Sequence, residues 1–153
     1  MTKTEYYLDI ALAVAKKSTC LKKQYGAVIV NGDEIVATGF NGPARKEPHC
    51  VTCTKKQGNG DFDEYCSCPA IHAEMNAIIS ASRKEMLDAD IYLAGYEVNT
   101  GKEYINAQPC EICLRLIKNA GIYRVINRTG IIYRRDGYGI LSKIEKESGD
   151  FVD

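Results

Sequence analysis

The sequence predicts an α/β layered domain on three observations. Stretches with helical periodicity alternate with strand-like stretches, the strand candidates are short apolar runs suited to a buried sheet, and turn-forming residues separate them. At 153 residues the chain can bury one proper core but not two comfortable ones, so residues 1–153 read as a single domain.

Thr2-x-x-Glu5 has the form of a capping box, and Tyr7, Ile10, Ala11, Val14 and Leu21 then recur at helical spacing. Gly26-Ala27-Val28-Ile29-Val30, the turn pair Asn31-Gly32 and the run Ile35 to Phe40 predict two antiparallel strands. From Asn41 to Pro69 the pattern dissolves into Gly, Pro, charge and cysteine, longer than a structureless loop in a compact domain should be, so something must staple it. Periodicity resumes from His72 to Met86 through Met75, Ile78, Ile79 and Ser82, and Ile91-Tyr92-Leu93-Ala94 is a short strand. Residues 95–107, centred on Asn99-Thr100-Gly101, read as a hairpin excursion. Pro109 suits the first turn of a helix and Gly121 the left-handed position past its end, with Ile112, Leu116 and Ala120 along one face. Tyr123 to Asn127 and Ile131-Ile132-Tyr133 are further strands, and Ile140 to Glu147 is a closing amphipathic helix.

Composition removes several classes of function. Hydrophobic content of 45% and charged content of 26% are ordinary for a soluble globular protein, and no apolar run approaches a membrane span. Met1-Thr2-Lys3-Thr4-Glu5 leads straight into an amphipathic pattern with no apolar segment of the signal-peptide kind, so the expected compartment is cytoplasmic. Lys plus Arg equals Asp plus Glu at 20 each, which gives no global basic field for nonspecific nucleic-acid binding. Seven cysteines, an odd number, favour reduced thiols and metal ligation over disulfides.

The chemistry gathers in two short stretches, Ile71-His72-Ala73-Glu74 and Pro109-Cys110-Glu111-Ile112-Cys113. His72, Cys110 and Cys113 can supply three ligands to one Zn2+, leaving the fourth tetrahedral position for water, as catalytic zinc sites do. Cys110 and Cys113 are three apart, so at a helix start they share a side and face free backbone N–H groups, which favour thiolates. Glu74 then has work as a nonligating carboxylate that carries protons to and from the water, which a closed structural zinc site does not need. In a regular helix Glu74 would point roughly 200° from His72, so both can face the metal only if the first turn wraps the site.

A second group, Cys50-x-x-Cys53 followed by Cys66-x-Cys68, lies in the loop that needs a staple, and four thiolates would close a structural zinc site there. Cys20 and His49 compete as ligands. The alternative is that these are simply free thiols.

His-x-Glu followed by Pro-Cys-x-x-Cys resembles the signature of zinc nucleobase deaminases. The flanks extend the likeness. Ser18-Thr19-Cys20, Gly26 to Val30, Ala37-Thr38-Gly39-Phe40-Asn41-Gly42-Pro43, His49-Cys50, Cys68 to Ile79 and Ile117 to Val125 together resemble the deoxycytidylate deaminase family, over most of residues 1–126. The resemblance implies a three-layer α/β/α cytidine-deaminase-like fold with a central mixed sheet, and zinc-dependent release of ammonia from a dCMP-like nucleotide. It implies that Asn41 contacts the substrate, that the backbone of Ala73 reads the base, and that the protein is a homo-oligomer. Phe40-Asn41-Gly42 resembles the element that some members use for a nucleotide effector, and family members with a second zinc make Cys20 and His49 candidate ligands. Turn formation alone is the simpler account of Asn41-Gly42-Pro43.

Two features depart from the family pattern. Residues Gly95 to Gln108 intervene where the family passes quickly from strand to Pro-Cys, and Asn127 replaces an aromatic near the end of the next strand. The first would reshape the mouth of the pocket. For a substrate phosphate, Arg45, Lys46 and Arg115 are the cations nearest the motifs in sequence; the alternative is solvated surface charge. Arg124, Arg128, Arg134 and Arg135 read as a solvated face or an oligomer contact. Two other readings stay open at this point. An editing deaminase on RNA or single-stranded DNA would share the core motif, against which stand balanced charge and few aromatic candidates for base stacking. A noncatalytic zinc module would account for the cysteine-rich loop.

Overall fold

The computed structural model describes residues 1–53 and 68–145. Helix α1 (Lys3–Ala15) is followed by strands β1 (Lys23–Asn31) and β2 (Glu34–Phe40), then by helices α2 (Ala73–Ile79) and α3 (Arg83–Met86). Strand β3 (Asp90–Glu97), helix α4 (Glu111–Ala120) and strands β4 (Arg124–Asn127), β5 (Gly130–Arg135) and β6 (Leu141–Lys143) complete it. Among the described residues the strands form one six-stranded mixed sheet in the order β2-β1-β3-β4-β5-β6. Only β3 and β4 run parallel; the other neighbours are antiparallel.

Alternation along β1 divides the core into two layers, because successive side chains leave opposite faces of the sheet. Val28 and Val30 join Tyr92, Ala94, Ile126 and Ile131 under α1, which buries Tyr7, Leu8 and Ala11 against them. Ala27 and Ile29 join Ile91, Leu93 and Val125 on the other face, covered by Ala73 and Ala77 of α2, Met86 of α3, and Ile117 and Ala120 of α4. Helices therefore lie on both faces, which is why the central strands carry no polar alternation. A glycine allows the close approach on each face. A Cβ on Gly26 would lie 1.9 Å from Ala11 O of α1, and one on Gly39 would lie 2.3 Å from Ala73 O and 2.4 Å from Ala77 N of α2.

Local rules account for most of the boundaries. Thr2 and Glu5 form the predicted capping box on α1. Gly32 and Asp33 take positive φ at the β1–β2 turn, and Gly121 caps α4 at φ 86°.

The structure corrects several expectations. Leu21 lies beyond the end of α1, whose buried stripe is Thr4, Tyr7, Leu8, Ala11 and Ala15. The helix expected from His72 to Met86 is two, because Ser82 and Glu85 form a second capping box that restarts the chain at Arg83. Pro109 precedes the N-cap Cys110 rather than sitting in the first turn, and the buried face of α4 is Cys113, Ile117 and Ala120, not Ile112 and Leu116. Turning Cys113 inward rotates the helix by about one residue, roughly 100°. The closing helix expected at 140–147 is instead the edge strand β6 at its described end, where Tyr133 pairs with Lys143 and Arg135 with Leu141. Tertiary pairing has overridden a short amphipathic pattern there.

Candidate active site

The two signature stretches meet at the starts of α2 and α4. His72 is the N-cap of α2, with extended backbone (φ −75°, ψ 154°), and Cys110 is the N-cap of α4 (φ −69°, ψ 171°). His72 Nδ1 lies 3.3 Å from Cys113 Sγ and 3.4 Å from Cys110 Sγ, and one ligand atom from each of the three residues falls within 4.8 Å of the others. Zinc bonds of about 2.0 Å to nitrogen and 2.3 Å to sulfur would set N and S about 3.5 Å apart in a tetrahedron, so these residues fit the ion. The donor set fits as well. Burial, with the charge of Glu74 next, pushes the Cys113 thiol far up, which is the position of a ligand that needs a cation to hold it as thiolate. Cys110 Sγ also accepts from the Cys113 backbone N–H at 3.4 Å, as a sulfur at an N-cap should.

The angular problem posed by His72 and Glu74 disappears in the structure. As N-cap, His72 stands outside the helical wheel, so its side chain turns toward α4 while Glu74, in the first turn, points inward. Glu74 is 8% exposed. Burial raises its carboxyl above the usual range, partly offset by its own backbone N–H and by the Cys113 thiol. A buried carboxyl touching a metal-ligand thiol, with a raised affinity for protons, can accept and return a proton next to the metal position.

A cavity of about 370 Å³ opens over this group, within the range of small-molecule pockets. His72, Ala73, Glu74 and Cys110 line it, together with Lys22, Lys23, Tyr25, Ala107 and Gln108. Asn41 also lines it, but its side-chain amide is engaged with β1: Oδ1 accepts from Tyr25 N at 2.8 Å and Nδ2 donates to Lys23 O at 2.9 Å. Arg45 and Arg115 are exposed and do not line the cavity, and Arg115 pairs with Glu111 at 3.6 Å. The apolar run that signals β1 begins at Gly26 and so gives no sign of Lys23 and Tyr25, which share a face with Ala27 because the strand starts at Lys23.

The two departures from the family pattern meet each other. Asn127, fully buried, donates from Nδ2 to Ala107 O at 2.9 Å and to Asn106 Oδ1 at 3.3 Å. Its Oδ1 accepts from Thr129 N at 2.8 Å and Thr129 Oγ1 at 2.5 Å. Asn127 thus ties down the end of the 98–108 excursion, and Arg128 holds its middle through Glu103 at 2.6 Å while reaching Asp9 at 2.7 Å.

Of the second cysteine group, Cys66 lies outside the described residues. Cys20, Cys53 and Cys68 all line the cavity. Burial raises the Cys50 thiol, and Cys68, Cys20 and Cys53 are close enough to raise it further. Among the described residues no three of these groups gather as His72, Cys110 and Cys113 do. His49 Nδ1 lies 2.8 Å from Thr19 Oγ1.

The family model for the cytidine and deoxycytidylate deaminase zinc-binding region matches residues 1–129. A deoxycytidylate deaminase of Mycobacterium phage D29 is 32% identical over 128 residues, covering 80% of this chain and 91% of the phage protein. That of Schizosaccharomyces pombe is 30% identical over 138 residues, covering 87% of this chain but 38% of the yeast protein, so the chain spans well under half of that longer relative. Among solved structures, apo dCMP deaminase of cyanophage S-TIM5 superposes with a TM-score of 0.59 at 23% identity, covering 82% of this chain and 83% of that one, which supports the fold. A metal-ready His–Cys–Cys group beside a buried glutamate, on a mixed sheet between helical layers, is thus matched along most of the sequence, and the chain belongs to the cytidine and deoxycytidylate deaminase family.

Proposed function

We propose that this protein hydrolyses the exocyclic amine of deoxycytidine monophosphate, releasing ammonia and deoxyuridine monophosphate. The observation that carries the reading is one cavity lined both by His72, Glu74 and Cys110 of the metal-ready group and by Lys22 and Lys23. A cytosine base beside Glu74 and a phosphate near the lysines account for both. The named relatives are deoxycytidylate deaminases, and the cyanophage enzyme has also been solved in complex with dCMP and dUMP.

His72 Nδ1 and the sulfurs of Cys110 and Cys113 would hold zinc. When bound, zinc supplies a Lewis acid that makes water nucleophilic near neutral pH. Glu74 takes the proton from the attacking water and delivers it to the pyrimidine N3. A second proton passes through Glu74 to the amine, the C4–N bond breaks, and ammonia leaves as C4 becomes a carbonyl. Burial suits Glu74 to this exchange by raising its proton affinity. The backbone of Ala73, beside Glu74 in the cavity, reads the base. Asn41 retains one amide hydrogen and one lone pair for the substrate beyond its bonds to β1. Lys22 and Lys23 take the place at the phosphate that sequence proximity suggested for Arg45 and Arg115.

The direct test is ammonia release, with dUMP identified as product, from dCMP against cytidine, CMP and adenine and guanine nucleotides. Absence of turnover on dCMP would overturn the reading.

The surrounding assignments belong to the same proposal. The chain works as one domain, in a reducing cytoplasmic compartment; none of its described cysteines is disulfide-bonded, and no described helix is long and apolar enough to cross a membrane. A second, structural zinc on Cys50, Cys53, Cys66 and Cys68, with Cys20 and His49 as competing ligands, rests on the cysteine spacing and the family resemblance, and zinc content of two equivalents rather than one is the check. A homo-oligomer and a nucleotide effector at Phe40-Asn41-Gly42 rest on the family resemblance. Sedimentation and a titration with nucleoside triphosphates test them.

A further inference from the structure

Tyr25 is built into the cavity by elements the family signature does not include. It shares a face of β1 with Lys23, its partner across the β1–β3 ladder is Gly95, and its ring stacks on Tyr104 of the excursion at 5.8 Å between centroids. A Cβ on Gly95 would come within 2.3 Å of Tyr25 Cδ1, so the ring packs against bare β3 backbone. Tyr104 stacks on the same ring, and its own ring sits under the Lys23 ammonium at 5.4 Å. Tyr104 is itself fixed, with its N–H donated to Gly95 O at 2.8 Å. A side chain held between backbone and a second ring keeps one rotamer at little further entropic cost, which is how a recognition group is preorganised.

Its hydroxyl is available. Among the described residues it makes no hydrogen bond, and it is not a buried unsatisfied group; Tyr25 is one of the residues that line the cavity. Burial, then Tyr104 and Glu74, push the phenol to about 12, which keeps it a neutral donor at any working pH.

The place of Tyr25 says what it meets. Glu74 is near enough to act on its charge, and Lys23 is two residues away on the same strand face. With the base at Glu74 and the phosphate at the lysines, the sugar between them is the part of the nucleotide left for Tyr25, which lines the same cavity. A 2′-deoxynucleoside 5′-monophosphate has one free sugar hydroxyl, at the 3′ position. Resting on the substrate reading above, we propose that the Tyr25 hydroxyl hydrogen-bonds the sugar 3′-hydroxyl of the bound nucleotide, with Tyr104 as the positioning residue that the 98–108 excursion exists to supply.

The test compares dCMP with 2′,3′-dideoxycytidine monophosphate, which lacks that hydroxyl, on zinc-loaded wild-type protein and on Tyr25→Phe. The wild type should favour dCMP severalfold in kcat/KM. Tyr25→Phe should raise KM for dCMP about fivefold, the scale of one neutral hydrogen bond, with kcat within about twofold, and should lose that preference by the same factor. Tyr104→Ala should raise KM likewise, and Tyr104→Phe, which keeps the stacked ring, should restore it. Thermal unfolding of each variant separates these shifts from misfolding. A Tyr25→Phe protein that keeps the wild-type preference, or a Tyr104→Ala protein with unchanged KM, overturns the proposal while leaving the substrate reading intact. Wild-type protein inert on dCMP overturns both.

Discussion

Two parts of the cavity lining are built in different ways. The metal-ready group is made by two helix starts, where the N-caps His72 and Cys110 and the first-turn residues Glu74 and Cys113 converge. Each half is local in sequence. The rest of the lining draws on β1 and the end of the 98–108 excursion, which meet only through the tertiary structure, by the pairing of β1 with β3 and the bonds of Asn127 and Arg128. The first part is therefore suited to one chemistry, whereas the second can change with its excursion without touching that group.

Removing the metal should have the largest effect. Stripping zinc with a chelator, or replacing Cys113 by Ser, should abolish ammonia release and lower Tm, and only the chelated protein should recover on adding zinc back. A chelated protein that kept its turnover would sink the metal-dependent chemistry. Next comes Glu74→Ala, which should cut kcat by about 10²–10⁴ while zinc content stays at the wild-type value; activity surviving that change would remove Glu74 from the mechanism.

The two glycines sharpen the contrast between the faces of the sheet. Gly39→Ala and Gly26→Ala each force a Cβ into helix backbone, and each should cost about 1–3 kcal/mol or more in denaturant unfolding. Only Gly39→Ala should also lower kcat of the folded protein, because its clash is with the helix that carries His72 and Glu74. Equal kinetic damage from both would mean that α2 is no more tightly coupled to the site than α1.

The smallest kinetic effect belongs to the excursion. Asn127→Ala leaves Ala107 O without its donor and should cost about 1–3 kcal/mol, raising KM for dCMP severalfold with kcat little changed. A loss confined to kcat would contradict the division drawn here.

Much of this was legible in the sequence because its causes are local. The capping box at Thr2, the Asn31-Gly32 turn, the stop at Gly121 and the spacing of His72, Glu74, Cys110 and Cys113 each follow from interactions within a few residues. The errors fell where a distant partner decided the outcome. Pairing with β5 turned residues 141–143 into a strand, and the inward turn of Cys113 moved the buried stripe of α4. Periodicity could not foresee either.

By itself the sequence determined most of the order of elements, the stretches that bring His72, Glu74, Cys110 and Cys113 into the candidate site, and the family. Tertiary structure decided how His72 and Glu74 can face one point, that Lys22 and Lys23 rather than Arg45 or Arg115 line the cavity, and that Asn127 fastens the excursion carrying Tyr104. The reason is physical. Caps and turns are settled by hydrogen bonds within a single turn of chain, whereas the walls of a cavity are settled by strand register, which brings residues 25, 95 and 104 together only once the sheet has formed.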